Sequence, residues 1–185
     1  MLSQGVLFLI NALLDIACVL LLARFLIQAS RADFYNPISQ GIVRITDPLL
    51  KPLRKVIPPI GNLDTVSFLM AWFVKGLAVV MIVKFSTGNF PTIVLPVVEG
   101  LFEVLKLTLN IYFFALIVIV VLSWVAPGNY HPAAMLLYQI TEPLVAPVRR
   151  VIPPLGGLDL SVMVVFLLLI FVRDFVLLAL FNALF

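Results

Sequence analysis

A nineteen-residue block rich in proline, arginine and glycine occurs twice in this chain. The first copy runs from Thr46 to Asp64 and the second from Thr141 to Asp159, and they align without a gap at an offset of 95 residues. Twelve of the nineteen aligned positions are identical. A repeat of this density indicates a tandem duplication, and the duplicated unit therefore sets the architecture of the chain.

Four apolar segments are long enough to cross a lipid bilayer, whose hydrocarbon core of about 30 Å takes about 20 helical residues. Hydrophobic residues make up 63% of the chain and charged residues only 11%, too few charges to cover a water-soluble domain of this size. The first segment has no basic leader and no small-residue cleavage site, which favours a retained helix over a signal peptide. Each segment is expected to be a continuous helix, and the predicted spans are Val6–Ile27, Val66–Phe85, Leu101–Val125 and Leu160–Phe185.

The first and third spans align at the same offset as the blocks, for example Asp15 with Asn110. Each repeat crosses the membrane twice, so both repeats enter it from the same side. The predicted fold class is an all-α membrane protein of four transmembrane helices, built as two parallel helix–loop–helix repeats with short amphipathic interfacial helices in the repeat loops. The predicted boundaries are 1–85 for the first repeat, 86–99 for the connection and 100–185 for the second repeat, with repeat loops over about 28–65 and 126–159.

The repeat loops carry helix-start and helix-stop signals. Asn36 followed by Pro37 predicts an N-cap and a first helical residue. Thr46 in one copy and Thr141 in the other are expected to cap a second short helix with one apolar and one basic face. The residues expected to end this helix, reverse the chain and cap the next span are Pro58, Pro59, Pro153, Pro154, Gly61, Gly156, Asp64 and Asp159.

Basic residues are concentrated in the repeat loops. The first loop includes Arg31 and Arg44 as well as the basic residues of its block, whereas the connection between the second and third spans has only Lys84 and Lys106 near its edges. The positive-inside rule therefore predicts that both repeat loops are cytoplasmic and that both termini lie on the opposite side of the membrane.

The doubled block P-x-R-[KR]-V-I-P-P-[IL]-G-x-L-D, preceded by D-F-Y-N-P at residues 33–37, resembles the YggT family of bacterial inner-membrane proteins over essentially the whole chain. The resemblance implies a bacterial inner-membrane location, and in that membrane the side predicted for both termini from the basic residues is the periplasm. It also implies a link to osmotic-shock tolerance, potassium uptake or envelope organisation. Plastid relatives with a single unit are linked to haem attachment in the cytochrome b6f complex. The family defines no catalytic residues.

The chain lacks the usual signatures of an enzyme. It has one histidine, His131, and one cysteine, Cys18, and it lacks the motifs of serine hydrolases, zinc proteases and phosphate-binding loops. His131 precedes Pro132 as Asn36 precedes Pro37, which favours helix capping over metal binding. We expect no enzyme activity, no metal site and no cofactor.

Polar side chains within the predicted spans are costly in hydrocarbon and are therefore candidates for function. They line an ion or proton path, or they pair within the bundle and fix helix register, for instance Asp15 with Lys75 or Arg173; the second alternative is favoured because the spans are expected to be continuous. Arg24 and Lys84 are expected to extend to the membrane interface. The intramembrane set is Asp15, Lys75, Asn110, Arg173 and Asp174.

The basic residues of the two blocks are Lys51, Arg54, Lys55, Arg149 and Arg150. They set the topology or bind anionic lipid headgroups, at about 1 kcal/mol for each charge, and the two roles are compatible. They do not form a track for nucleic acid. We predict a non-catalytic scaffold, assembly or envelope-organisation factor that engages membrane lipids or a protein partner, with a homo-oligomer left open. The alternative is a role in osmotic-stress tolerance and potassium homeostasis or transport through the intramembrane charges.

Overall fold

The computed structural model describes residues 2–125, 131–152 and 159–184. Within these ranges the regular structure is helical, with an isolated bridge between Ile60 and Leu63 in place of any strand. Long apolar helices flank a shorter helix in each repeat. The elements are α1 (Leu2–Ala29), α2 (Pro37–Arg54), α3 (Thr65–Thr87), α4 (Val94–Val125), α5 (Pro132–Val151), α6 (Leu160–Phe171), a π-helical turn (Val172–Val176) and α7 (Leu177–Leu184).

Among the described residues, four helical segments are long and apolar enough to span a membrane, and the chain is a multi-pass membrane protein. They are Gly5–Ala29, Thr65–Thr87, Val94–Val125 and Leu160–Leu184. The third begins at Val94 rather than at the predicted Leu101, since Pro96 lies in the first turn, where its missing N–H needs no partner. The fourth span is helical without a break from Leu160 to Leu184, as predicted, but it contains a π-helical turn, in which the N–H of Leu177 bonds five residues back to Val172.

The prediction of a second short helix starting at Thr46 or Thr141 is wrong. Both threonines lie inside one continuous helix, where the Thr46 hydroxyl donates to the Ile42 carbonyl at 2.7 Å and the Thr141 hydroxyl to the Leu137 carbonyl at 2.9 Å. At Pro48 and again at Pro52, α2 loses a backbone hydrogen bond and the proline ring crowds the preceding turn, a defect that disfavours a continuous helix. The buried face of α2, made of Ser39, Thr46 and Leu50, keeps the helix packed on the bundle through that defect.

Side chains cap the helices that follow each turn. Asn36 caps α2 and His131 caps α5, and each accepts a hydrogen bond from the backbone N–H two residues later. Asp64 accepts from the Ser67 N–H at the start of α3, and Asp159 accepts from the Ser161 N–H at the start of α6. The local signals in the sequence therefore fix where four of the helices begin.

The spans pack unequally. α3 has its most extensive contacts with α4 and α1, whereas the last span packs mainly against α4 and α5. α3 and α4 approach closely where Gly76 faces Gly100, because a Cβ added at Gly100 would lie 2.8 Å from the Gly76 nitrogen. α2 and α5 contact each other, so the two loop helices form one layer at an end of the bundle.

Candidate functional site

In each copy of the duplicated block, an arginine near the end of the loop helix forms an ion pair with the aspartate at the end of the block. In the first copy the Arg54 guanidinium binds the Asp64 carboxylate, and in the second the Arg149 Nε lies 3.0 Å from Asp159 Oδ2. The two members are ten residues apart in both copies, with the arginine near the end of the loop helix and the aspartate capping the next span. The arginine and aspartate that both copies share therefore join the end of each loop helix to the start of the next span.

A buried arginine from α1 completes this cluster in the first repeat only. The Arg24 guanidinium, 4% exposed, lies 2.6 Å from the Thr46 hydroxyl, 2.7 Å from Asp47 and 3.4 Å from Asp64. The prediction that Arg24 extends to the membrane interface is wrong, because these two carboxylates lie on the elements packed against it. The second repeat has Ile119 at the aligned position. A charge without a charged counterpart in the other repeat is the signal that could have identified Arg24.

Two carboxylates outside the membrane-spanning segments have lowered pKa values. Hydrogen bonds from Lys51 and from Arg24 hold the pKa of Asp47 below its ordinary value. Burial raises the pKa of Asp159, but hydrogen bonds from Ser161 and Arg149 outweigh that effect and leave its pKa lowered. Both carboxylates are therefore charged at neutral pH and neutralise the arginines beside them.

The five basic residues of the blocks fall into two groups. Arg54 and Arg149 are held by the aspartates of their own turns. Lys51 lies 3.0 Å from Asp47 but its side chain is 72% exposed, and Lys55 and Arg150, which occupy aligned positions, are also exposed. Of the basic residues in the blocks, Lys51, Lys55 and Arg150 therefore face outward, and Arg44 on α2 is also exposed.

The prolines and glycines of the first block lie in the turn that joins α2 to α3. Pro58 and Pro59 are exposed, and the Pro58 carbonyl accepts from the Thr65 hydroxyl at 3.0 Å. Gly61 has a φ of 58°, a left-handed conformation that favours glycine. Pro153, Pro154 and Gly156 of the second block lie outside the described residues.

The structure brings the predicted intramembrane side chains together in two groups. Lys75 Nζ lies 2.8 Å from Asp15 and 3.8 Å from Glu103, which joins α1, α3 and α4. Glu103 lies within the predicted third span, two residues after its predicted start at Leu101, but it was grouped with the charges at the edge of the connection and was not selected.

The second group joins α4 to the π-helical turn. The Arg173 guanidinium lies 3.0 Å from the Asn110 amide oxygen and 2.7 Å from Asp174, and it stacks 5.1 Å above the centre of the Phe113 ring. Every member of the predicted intramembrane set therefore contacts another member.

Within the described residues, no three His, Cys, Asp or Glu side chains are close enough to hold a metal ion. Cys18 is buried, and its thiol lies 3.5 Å from the Ala71 carbonyl. The His131 side chain accepts from the Ala133 N–H at 3.2 Å.

The chain is similar to a family of membrane proteins. The model of the CCB3/YggT family matches residues 3–85 and again residues 98–180, which shows the internal repeat. A Pseudomonas aeruginosa protein, described as uncharacterized protein PA0392, is 42% identical over 91% of this chain and 86% of its own length. A Vibrio alginolyticus protein, described by its position in the proC 3' region, is 42% identical over 86% of each chain, and the YggT protein of Escherichia coli K12 is 36% identical over 88% of this chain and 84% of its own. No solved structure matches.

Proposed function

Since this chain belongs to the CCB3/YggT family, we propose that it is a non-catalytic scaffold of the bacterial inner membrane that holds anionic lipid headgroups on the layer formed by α2 and α5. The match to bacterial proteins over nearly their whole length supports a bacterial membrane. The loop layer is cytoplasmic in this proposal, because the basic residues are concentrated there.

The observation that carries the proposal is the arrangement of side chains around α2. Arg44, Lys51 and Lys55 recur at two and three helical turns and share one stripe. The neighbouring stripe, about 100° away, is apolar and exposed, and includes Ile45 at 64% and Leu49 at 49%. A helix with exposed apolar and basic stripes side by side suits the boundary between acyl chains and headgroups.

The second repeat contributes to the same layer. The Asn36 amide donates to the Pro132 carbonyl at 2.7 Å, and the Gln139 amide oxygen accepts from the Asp33 N–H at 2.8 Å. These bonds join the start of α2 to α5, so the exposed cations of both repeats belong to one layer. In the part of the chain that the structure describes, neither Lys55 nor Arg150 is paired with a carboxylate, so these two aligned cations can bind headgroups without breaking an ion pair.

The double substitution K55Q/R150Q tests lipid binding. Each cation near a membrane surface contributes about 1 kcal/mol, so removing both is expected to lower the affinity for phosphatidylglycerol by about thirtyfold. The measurement is native mass spectrometry of the purified protein, titrated with phosphatidylglycerol and, separately, with phosphatidylcholine.

The charge-conserving variant K55R/R150K is the matched control and is expected to keep its preference for phosphatidylglycerol. Equal lipid retention in all three proteins would contradict the proposal. A photo-reactive residue placed at position 55 can identify what this surface contacts in native membranes. If it captures a protein and not lipid, the ligand of this surface is a protein partner.

A second candidate function is a role in osmotic-stress tolerance and potassium homeostasis or transport. One observation favours it: Arg173 and Asp174 lie in a π-helical turn of a membrane span, and such turns are frequent at functional sites. Liposomes containing the purified protein would then take up potassium, and Asp174→Asn would abolish the uptake. That result would contradict the purely structural scaffold.

A further inference from the structure

Four charged side chains lie on one exposed face of the membrane bundle. They are Asp15 on α1, Glu103 and Lys106 on α4, and Asp174 on the π-helical turn, and their side chains are 54%, 41%, 54% and 43% exposed. We call this surface the charged face. All four belong to membrane-spanning segments, where a charged group exposed to hydrocarbon costs about 2.5–3.5 kcal/mol even by insertion-based scales. Lipid tails are therefore a poor cover for this face.

The four side chains are connected rather than scattered. Lys75 bridges Asp15 and Glu103, and Glu103 lies 3.8 Å from Lys106 one turn along α4. Asn110, one turn after Lys106 on α4, bonds to Arg173, which in turn lies 2.7 Å from Asp174. α4 contacts both α1 and the last span, so it forms the floor of the face between them.

The charged face is self-complementary. The acid Asp15 lies at the α1 edge of the face. The basic residue Lys106 lies on α4, three residues after Glu103. In the structure Lys75 contacts only the Oδ1 oxygen of Asp15, and the ion pair of Lys106 with Glu103 is at 3.8 Å, so both groups have unused bonding capacity. A two-fold axis along the membrane normal that passes between Asp15 and Lys106 brings Asp15 of each copy against Lys106 of the other.

We propose that a second copy of this chain covers the charged face, and that Asp15 of each copy pairs with Lys106 of the other within the membrane. The pairing supplies Asp15 and Lys106 with the partners that hydrocarbon cannot provide, and it encloses the neighbouring Glu103 and Asp174 in a protein interface. The proposal does not depend on lipid binding by the α2–α5 layer.

A zero-length crosslink tests the pair directly. Dicyclohexylcarbodiimide, which enters membranes, joins a carboxylate to a neighbouring amine, so the purified protein in liposomes is expected to yield a covalent dimer. Mass spectrometry of a mixture of ordinary and isotope-labelled chains should find an Asp15–Lys106 linkage between the two. K106Q should lose the dimer and keep the Asp15–Lys75 linkage within one chain, which reports that the fold is intact. K84Q, at the far end of α3, should behave as the unmodified protein.

The equilibrium between monomer and dimer in the membrane provides a second measurement. At the average strength of an interhelical polar pair, about 0.6 kcal/mol, the two symmetric pairs contribute about eightfold to the dimer affinity. Energy transfer between labelled chains diluted in lipid measures the dimer affinity. D15N and K106Q should each lower this affinity about eightfold, and the double variant should lower it little further. A chain that stays monomeric at every dilution would overturn the proposal. Labelling of Lys106 by a water-soluble amine reagent would also overturn it, because the face would then be hydrated rather than covered.

Discussion

Asp64 and Asp159 occupy aligned positions and cap aligned helices, yet they have different electrostatic roles. The Asp64 side chain is 2% exposed and binds Arg24, Arg54 and Ser67, whereas the Asp159 side chain is 32% exposed. The difference follows from Arg24, which the first repeat buries beside Asp64. One aspartate therefore neutralises a buried cation, and the other closes a partly solvated turn.

The isosteric substitutions D64N and D159N should separate these roles, since asparagine can still cap a helix. D64N leaves the buried Arg24 charge with Asp47 as its one remaining carboxylate, and we expect a loss of about 1.5–3 kcal/mol in the free energy of unfolding, as for the loss of hydrogen bonds to a charged group. D159N breaks a solvent-accessible pair and should cost about 1 kcal/mol or less. Chemical unfolding in detergent, followed by tryptophan fluorescence, measures both. Equal losses would show that Arg24 does not depend on Asp64.

At the scale of elements, the hairpin of α3 and α4 depends on a backbone contact between two glycines. A Cβ at Gly100 would lie 2.8 Å from the backbone nitrogen of Gly76 and 2.9 Å from its Cα, so neither side has a flexible side chain that can move away. Gly5 is the aligned residue of α1, and a Cβ there would meet nothing within 4 Å. The duplication thus offers the same residue in a crowded and in an open setting.

Gly100→Ala should push α3 and α4 apart and cost about 1–3 kcal/mol in the free energy of unfolding, the usual range for overpacking. Gly5→Ala is the matched control and should be neutral or slightly stabilising, because alanine favours a helix over glycine. Thermal unfolding of the two purified variants compares them directly. A Gly100→Ala protein as stable as the unmodified chain would mean that the two helices separate without loss.

Short-range sequence signals predicted where helices begin, whereas the partners of buried charged side chains depend on contacts between residues far apart in the chain. Asn36 and Asp64 were predictable because a cap bonds to a backbone N–H two or three residues away. Arg24 was not, because its partners Thr46, Asp47 and Asp64 lie far along the chain. The prediction that Thr46 caps a helix was wrong for a related reason. A threonine two residues before Pro48 is typical of a helix start, but tertiary packing keeps α2 continuous at the proline.

At the scale of the whole molecule, the two repeats share a sequence but not an environment. Gly76 on α3 packs against α4, whereas its aligned residue Phe171 is 55% exposed. By the alignment of the repeats, the last span corresponds to α3 and α1 corresponds to α4. The last span cannot make the close glycine contact with α1 that α3 makes with α4, and in the part of the chain described no contact of similar extent joins the last span to α1. The repeat predicts the number of spans, but the mutual packing of the repeats depends on residues at which the copies differ.

The orientation of the whole molecule follows from where its basic residues lie. Lysines and arginines set topology by their presence near the ends of spans, and acids contribute little, so the pairing of Arg54 and Arg149 with aspartates does not cancel their effect. We therefore predict that both repeat loops are cytoplasmic and, since each repeat crosses the membrane twice in this prediction, that both termini are periplasmic. Alkaline phosphatase fused after Phe185 should be active, and the same enzyme inserted after Lys55 should be inactive. The reverse pattern would place the α2–α5 layer in the periplasm, where the cytoplasmic leaflet could not supply its anionic headgroups.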